Sequence, residues 1–117
     1  MKRVAIPIEK GRLSEYFGQC SHYEIFETDG VNILHNDLKV PPETKIKALP
    51  EWTAKQGITD VISYRVDPDI IELFSIYKIN LFVGIPQSTP QKLMDDFLNG
   101  NLRSDGEIIR EIMDKDE

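Results

Sequence analysis

The chain holds a single cysteine, Cys20, among 117 residues. A lone thiol forms no internal disulfide, no four-cysteine zinc site, no self-held iron–sulfur cluster and no Cys-x-x-Cys redox pair. Any metal centre seated here takes most of its ligands from elsewhere, and such sparse cysteine fits a reducing cytoplasm. Long apolar runs are missing as well. No stretch approaches the roughly 20 residues that cross a bilayer, and the apolar part of Val4-Ala5-Ile6-Pro7-Ile8, behind Lys2 and Arg3, is too short for the core of a signal peptide. Basic charge is scarce: 14 Lys and Arg stand against 20 Asp and Glu, for a net charge of −6 and a pI of about 4.9. This balance argues against a protein that lives on nucleic acid, where clustered cations supply most of the affinity. Neither G-x-G-x-x-G nor G-x-x-x-x-G-K-[ST] occurs. The first strand offers no carboxylate for two-metal nuclease chemistry, and no Ser-His-Asp or Cys-His-Asn set has a third, orienting member. Catalysis is not expected.

What is present reads as one domain with a core of its own. Lys2–Ile8 has the apolar density of a buried strand. After a loop over residues 9–20, Ser21–Thr28 alternates, with Tyr23 and Ile25 on one face and His22, Glu24 and Phe26 on the other. Asp29-Gly30 predicts a type I′ hairpin into a third strand, Val31–Leu38. Pro41-Pro42 interrupts, and a helix is expected over Ile46–Gln56, capped by Gly57. A short strand, Asp60–Tyr64, precedes a helix opened by Asp67-Pro68, the aspartate accepting from free N–H groups. Asn80–Gly84 gives a fifth strand, and Ser88-Thr89-Pro90 starts a third helix closed by Gly100. The order is β-β-β-α-β-α-β-α, an α/β domain with a mixed five-stranded sheet and helices on both faces. The acidic stretch Asp105–Glu117 places Ile108, Ile109, Ile112 and Met113 at helical spacing. It reads as an amphipathic helix packed on the chain's own domain rather than on a partner.

Ligands of open α/β sheets bind beyond the carboxyl ends of the parallel strands. Strands one, three, four and five share that direction, so loops 9–20, 39–45, 64–67 and 84–89 are expected to meet at one edge. They bring Lys10, Arg12, Lys39, Lys45, Lys47 and Arg65 together with Ser14, Tyr16, Phe17, Cys20, Tyr64, Gln87 and Ser88. Helix starts at Asp67 and Thr89 point partial positive charge the same way. An acidic chain thus carries a locally basic rim suited to an anionic ligand.

Three stretches carry a family resemblance. "VAIPIEKGRLSEYFGQCSHYEIFE", "KQGITDVIS" and "INLFVGIPQSTPQKLMDDFLNGNL" resemble the opening, the fourth strand and the close of the dinitrogenase iron–molybdenum cofactor biosynthesis family, whose domains are nitrogenase accessory factor-like. The resemblance divides the chain into a domain over residues 1–102 and an acidic extension over 103–117. It implies a three-layer, ribonuclease-H-like α/β fold and a non-catalytic role. Members bind iron–sulfur or iron–molybdenum–sulfur clusters and hand them to cluster-assembly or cofactor-accepting proteins. Ser14, Phe17 and Gly18 match the family's S-x-x-F-G pattern, and the resemblance, with the rim above, makes Arg12, Ser14, Tyr16, Phe17, Gly18, Lys39, Lys45, Tyr64 and Arg65 cofactor-binding candidates. The departures are specific. Tyr16 stands where the family has histidine, Lys39-Val40-Pro41-Pro42-Glu43 replaces a His- and Gly-rich loop, and Tyr64-Arg65-Val66-Asp67-Pro68 keeps only the proline of a Gly-rich one. They imply a different ligand or a member without cluster binding.

Cys20 and His22 are the candidate metal ligands, since a thiolate suits soft metals, a basic rim would lower its pKa, and an extended chain would let His22 join it. As a small buried residue Cys20 needs no function. His35, alternating with Val31 and Ile33, reads as partly buried and hydrogen-bonded. Two functions stay open: a carrier of an anionic metal–sulfur cofactor, and a degenerate interaction or regulatory module engaging a protein through its acidic tail or a sheet edge.

Overall fold

In a computed structural model that describes residues 1–42 and 45–114, the chain forms strands β1 (Lys2–Glu9), β2 (Arg12–Leu13), β3 (His22–Thr28) and β4 (Ile33–Lys39). A 3₁₀ turn (Ile46–Ala48) leads into α1 (Leu49–Lys55), followed by β5 (Asp60–Ile62), α2 (Pro68–Ile76), β6 (Asn80–Phe82), α3 (Pro90–Leu98) and α4 (Gly106–Asp114). The sheet is mixed and has six strands rather than five, in the order β4-β3-β1-β5-β6 with β2 paired to β1. β2 is made by the Lys10-Gly11 turn, both of whose residues have positive φ (54° and 78°). It folds Arg12 and Leu13 back onto Glu9 and Ile8. Two residues are too few to show a period, which is why the strand is invisible in the sequence.

β1 is the centre of the sheet. It runs antiparallel to β3 and parallel to β5, and its two faces feed two cores. Ala5, Tyr23, Ile25 and Val61 face α1, α2 and α4 through Leu49, Ile70, Phe74 and Ile112. Val4, Ile6, Ile8, Phe26 and Ile62 face α3 through Leu93 and Met94. Alternation along each strand thus divides the apolar residues between the two faces. The expected direction of strands one, three, four and five holds, because β4 runs antiparallel to β3 and β6 parallel to β5.

Several local expectations are corrected. The β3–β4 connection spans residues 29–32, and Gly30 alone has positive φ (99°). Instead of a type I′ turn, the Asp29 carboxylate accepts from the N–H groups of Val31 (2.9 Å) and Asn32 (2.8 Å), an Asx turn whose hydrogen bonds lower the Asp29 pKa. A register shift between Glu27 and Thr28 takes His35 out of step with Ile33, so His35 is exposed. Asp67 precedes α2 without a side-chain cap; its carbonyl takes the N–H groups of Ile70 and Ile71 (3.0 and 3.1 Å). Thr89 does cap α3, accepting from the Lys92 N–H.

The tail helix is docked on the domain. Ile112 is buried in the first core, and the Asp105 N–H donates to the Val83 carbonyl (2.8 Å), just beyond the end of β6. Gly84 makes this possible. At φ +80°, an added Cβ there would lie 2.7 Å from Asp105 Cβ and 3.0 Å from Ile108 Cβ. The opposite edge, β4, is open, with Leu34 51% and Leu38 59% exposed. Gly84→Ala is expected to cost about 3 kcal/mol, from strain plus the clash. Gly100→Ala has a similar φ but nothing within 4 Å, and should cost about 1 kcal/mol; denaturant unfolding of both variants checks the difference.

Candidate functional site

The loops after β1, β5 and β6 meet and are joined by main-chain bonds, while the loop after β4 approaches the first of them through Val40 and Pro41, which line a pocket with Gly18 and Cys20. Leu13 N–H donates to the Ser88 carbonyl (2.9 Å), Phe17 N–H to Arg65 (2.8 Å) and Arg65 N–H to Glu15 (3.1 Å), so Tyr16 and Arg65 form a short parallel bridge. Gln87 Nε2 adds a bond to the Leu13 carbonyl (2.9 Å). The loop after β1 is thereby tied to the exits of both β5 and β6.

The candidate residues nevertheless fall into separate stations. Phe17 is core, its ring edge-on to Tyr23 (6.1 Å) and Phe74 (5.4 Å) between centroids. Ser14 is buried, with its hydroxyl donating to the Tyr16 carbonyl (3.2 Å). Tyr16 is exposed. Gly18 allows a close approach: at φ +95° an added Cβ would stand 2.8 Å from the Ile46 side chain. Arg12 lies on the far side of β1, reaching the Gln87 carbonyl at 3.4 Å. Arg65 extends over the Tyr64 ring (5.4 Å to the centroid) and pairs with Glu111 of α4 at 3.2 Å, a contact that holds its pKa up. Lys39 pairs with Asp37 (3.8 Å) and Lys47 with Asp69 (3.3 Å). Lys45 sits immediately before the 3₁₀ turn. Much of the rim's positive charge is matched locally, each exposed pair contributing little.

Cys20 and His22 are not neighbours in the useful sense. His22 is the cross-strand partner of Ile8, which belongs to the second core, and its Nδ1 lies 3.0 Å from the Ser21 hydroxyl. Cys20 packs against the first core, on the face of Tyr23. The bend at residues 19–21 breaks the strand parity on which joint ligation depended. Among the described residues no group of three His, Cys, Asp or Glu side chains gathers as a metal site.

Cys20 is half-buried on the wall of a pocket of about 180 Å³ lined by Gly18, Ser21, Tyr23, Val40, Pro41 and Leu49. Larger grooves lie elsewhere, one of about 420 Å³ between Ile85–Ser88 and α3, but they carry no comparable chemistry. Burial pushes the Cys20 thiol up from its usual value; the Tyr23 hydroxyl opposes this, Glu9 adds to it, and the main chain at Ile8 opposes it. The thiol is therefore held neutral, the reverse of the expectation that a cationic rim would ionise it. Tyr23, a residue that strand patterning marks only as core, is fully buried. Its hydroxyl makes no well-formed hydrogen bond among the described residues, and the polar group it meets is the Cys20 thiol. Burial drives its pKa far up, with the adjacent Cys20 adding to the shift. A thiol is a weak acceptor, so this contact satisfies the hydroxyl only in part.

No family profile and no curated protein matches the chain. Solved structures do. PH0822 superposes with a TM-score of 0.79 at 25% identity, covering 89% of this chain and 95% of that one. A Methanocaldococcus jannaschii protein, MJ0327, provisionally named a dinitrogenase, gives 0.71 at 18%, covering 89% and 94%. The apo form of the orange protein from Desulfovibrio gigas gives 0.71 at 16%, covering 91% and 94%. The chain has the fold of these proteins over about nine-tenths of its length.

The raised thiol has a consequence for stability. As pH rises through the ordinary thiol range, the unfolded chain loses the Cys20 proton before the native one, so native stability contributed below about pH 8.5 is lost above it. Denaturant unfolding at pH 7 and pH 9.5 should show a decline that is smaller in Cys20→Ser than in the wild type.

Proposed function

We propose that this chain is a non-catalytic carrier domain that takes a small anionic metal–sulfur cargo at the carboxyl edge of its sheet and passes it to a cluster-assembly or cofactor-accepting protein. The observation that carries the reading is the half-buried Cys20 opening onto a pocket where the loop after β1 is bound to its neighbours. We read the strand order, with antiparallel β3 between β4 and β1, as the ribonuclease-H-like motif. The shared fold with the orange protein and the provisional dinitrogenase supports a place among nitrogenase-cofactor-related proteins.

The donor set does not suit a resident cluster, because one thiol cannot complete the coordination of any cluster type. It suits a passing cargo. A single soft ligand holds one exchangeable position, and the receiving protein supplies the others. The neutral thiol adds a condition: it must lose its proton as the metal binds, so loading rises with pH.

A second reading, a protein-interaction module without cargo, has its own observation. The acidic tail is engaged on its own domain, whereas β4 leaves an exposed edge with Leu34 and Leu38 uncovered, a surface that accepts an added strand.

Anaerobic reconstitution with iron, sulfide and molybdate separates the two. The carrier reading predicts visible charge-transfer absorption and bound metal in the wild type, rising from pH 7 to pH 8.5, and near-background loading of Cys20→Ser. Equal, near-zero loading of both proteins rejects it in favour of the interaction module.

A further inference from the structure

We propose that this chain forms a symmetric dimer through β4, two copies pairing antiparallel about Asn36 so that their sheets become one. The inference goes beyond the carrier reading and does not depend on it; the occupant of the open edge is a second copy of this chain.

The main chain of β4 shows which of its residues face outward. The Leu38 N–H donates to the carboxylate of its own neighbour Asp37 (2.9 Å) rather than to β3. Ladder bonds alternate sides along a strand, so Asn36 and Leu34 share that outward direction while His35, Asp37 and Lys39 face β3. The rest of the sheet agrees. The bond from Ser21 N–H to the Ile8 carbonyl (2.9 Å) turns Ile8 toward β3, and with it Ile6 and Val4, which lie opposite Glu24 and Phe26. Tyr23 and Ile25 are left to bond β4, where they lie opposite Lys39 and Asp37.

Two of the three outward residues are exposed leucines, Leu34 and Leu38. Beside them an open groove of about 370 Å³ runs between Ile33 and Asn36 of β4 and Thr89 and Pro90 at the start of α3. Edge strands that remain single are guarded by lysine, proline or a bulge. Residues 34–38 hold no lysine or proline, and the register shift falls at the start of the strand, between Ile33 and His35.

Self-pairing then has few choices. Outward residues must meet outward residues, so the register moves only in steps of two. With Asn36 opposite its own copy, Leu34 lies opposite Leu38 and His35 opposite Asp37. Leucine packs on leucine, and the imidazole N–H meets a carboxylate. Moving one strand two residues in one direction sets Asp37 against Asp37 and His35 against Lys39. Moving it the other way sets His35 against His35 and takes the leucines out of line. Like charges directly opposite each other destabilise a sheet, so the side chains select one register among those the main chain permits.

In that register the Leu38 N–H passes from Asp37 Oδ1 to the Leu34 carbonyl of the second copy, and the released oxygen accepts from the His35 ring. Asp37 Oδ2 keeps its pairing with Lys39 (3.8 Å). The Asn36 side chain, held by Glu24 (3.1 Å), stays out of the seam. Such a contact is isologous and closes at two copies.

Sedimentation equilibrium of the metal-free chain tests this, together with a cysteine placed at the two-fold axis. Wild type is expected at twice 13.5 kDa at submillimolar concentration, dissociating on dilution. Leu38→Lys changes an exposed side chain, so the fold should survive by circular dichroism while the dimer weakens by about tenfold or more, the change counting twice across the axis. His35→Asp, which sets carboxylate against carboxylate, should weaken it similarly, and adding Asp37→His should restore it. In a Cys20→Ser background, Asn36→Cys should link two chains in air, because residues paired this way have Cα atoms about 5.5 Å apart. Leu34→Cys should not. A monomer at every concentration overturns the inference and leaves the edge to a strand from another protein. A dimer indifferent to Leu38→Lys, or one that cross-links at Leu34→Cys and not at Asn36→Cys, overturns it as well.

Discussion

The main-chain bonds between Phe17 and Arg65, Arg65 and Glu15, and Leu13 and Ser88 are the constraint on which the rest of the structure depends. They convert the exits of three parallel strands into one surface. The bonds from Ser14 N–H to the Pro7 carbonyl and from Ser21 N–H to the Ile8 carbonyl (both 2.9 Å) anchor the two ends of the segment between β2 and β3 to β1, with Cys20 beside the second anchor. With them, Phe17 is pinned into the aromatic cluster and Gly18 passes against Ile46. The chain then bends at residues 19–21 so that the Cys20 sulfur faces the first core. Position in the sheet decides which side chains can cooperate, and it separates Cys20 from His22 while joining it to Tyr23.

The electrostatics follow from the same placement. A rim that is basic by composition is partly neutralised in three dimensions, since Arg65, Lys39 and Lys47 each meet a carboxylate. One of those carboxylates, Glu111, is brought by the tail helix, whose docking depends on the missing Cβ of Gly84. The pocket itself is lined by a neutral thiol and by the hydrocarbon of Val40, Pro41 and Leu49.

How much of this could be read from the residues varies with the range of the interaction. Apolar runs and alternation located β1, β3, β5 and β6 and divided Tyr23 and Ile25 from Phe26, because burial of a sheet face is written at period two. The shared direction of four strands followed from the hairpin at Asp29-Gly30, even though the turn type did not. Features resting on one or two residues were hidden: β2, the register shift beside His35, and the bend that reverses the parity of Cys20 and His22. Tyr23 was legible as core, but the meeting of its hydroxyl with the Cys20 thiol exists only once its neighbours are in place. The departures at Tyr16, in Lys39–Pro42 and in Tyr64–Pro68 were readable as losses. Only the packed structure shows what stands there: Arg65 over Tyr64 and a pocket walled by Val40 and Pro41.

The central claim is one of location, and amide chemical-shift mapping tests it most directly. The ¹⁵N-labelled protein would be followed by NMR as it is loaded anaerobically with iron, sulfide and molybdate. The account predicts that the largest changes fall on residues 16–23, 39–41 and 63–66, with α3 and the β4 edge unmoved. Changes centred on residues 33–38, or on the groove between Ile85 and Arg103, would contradict it.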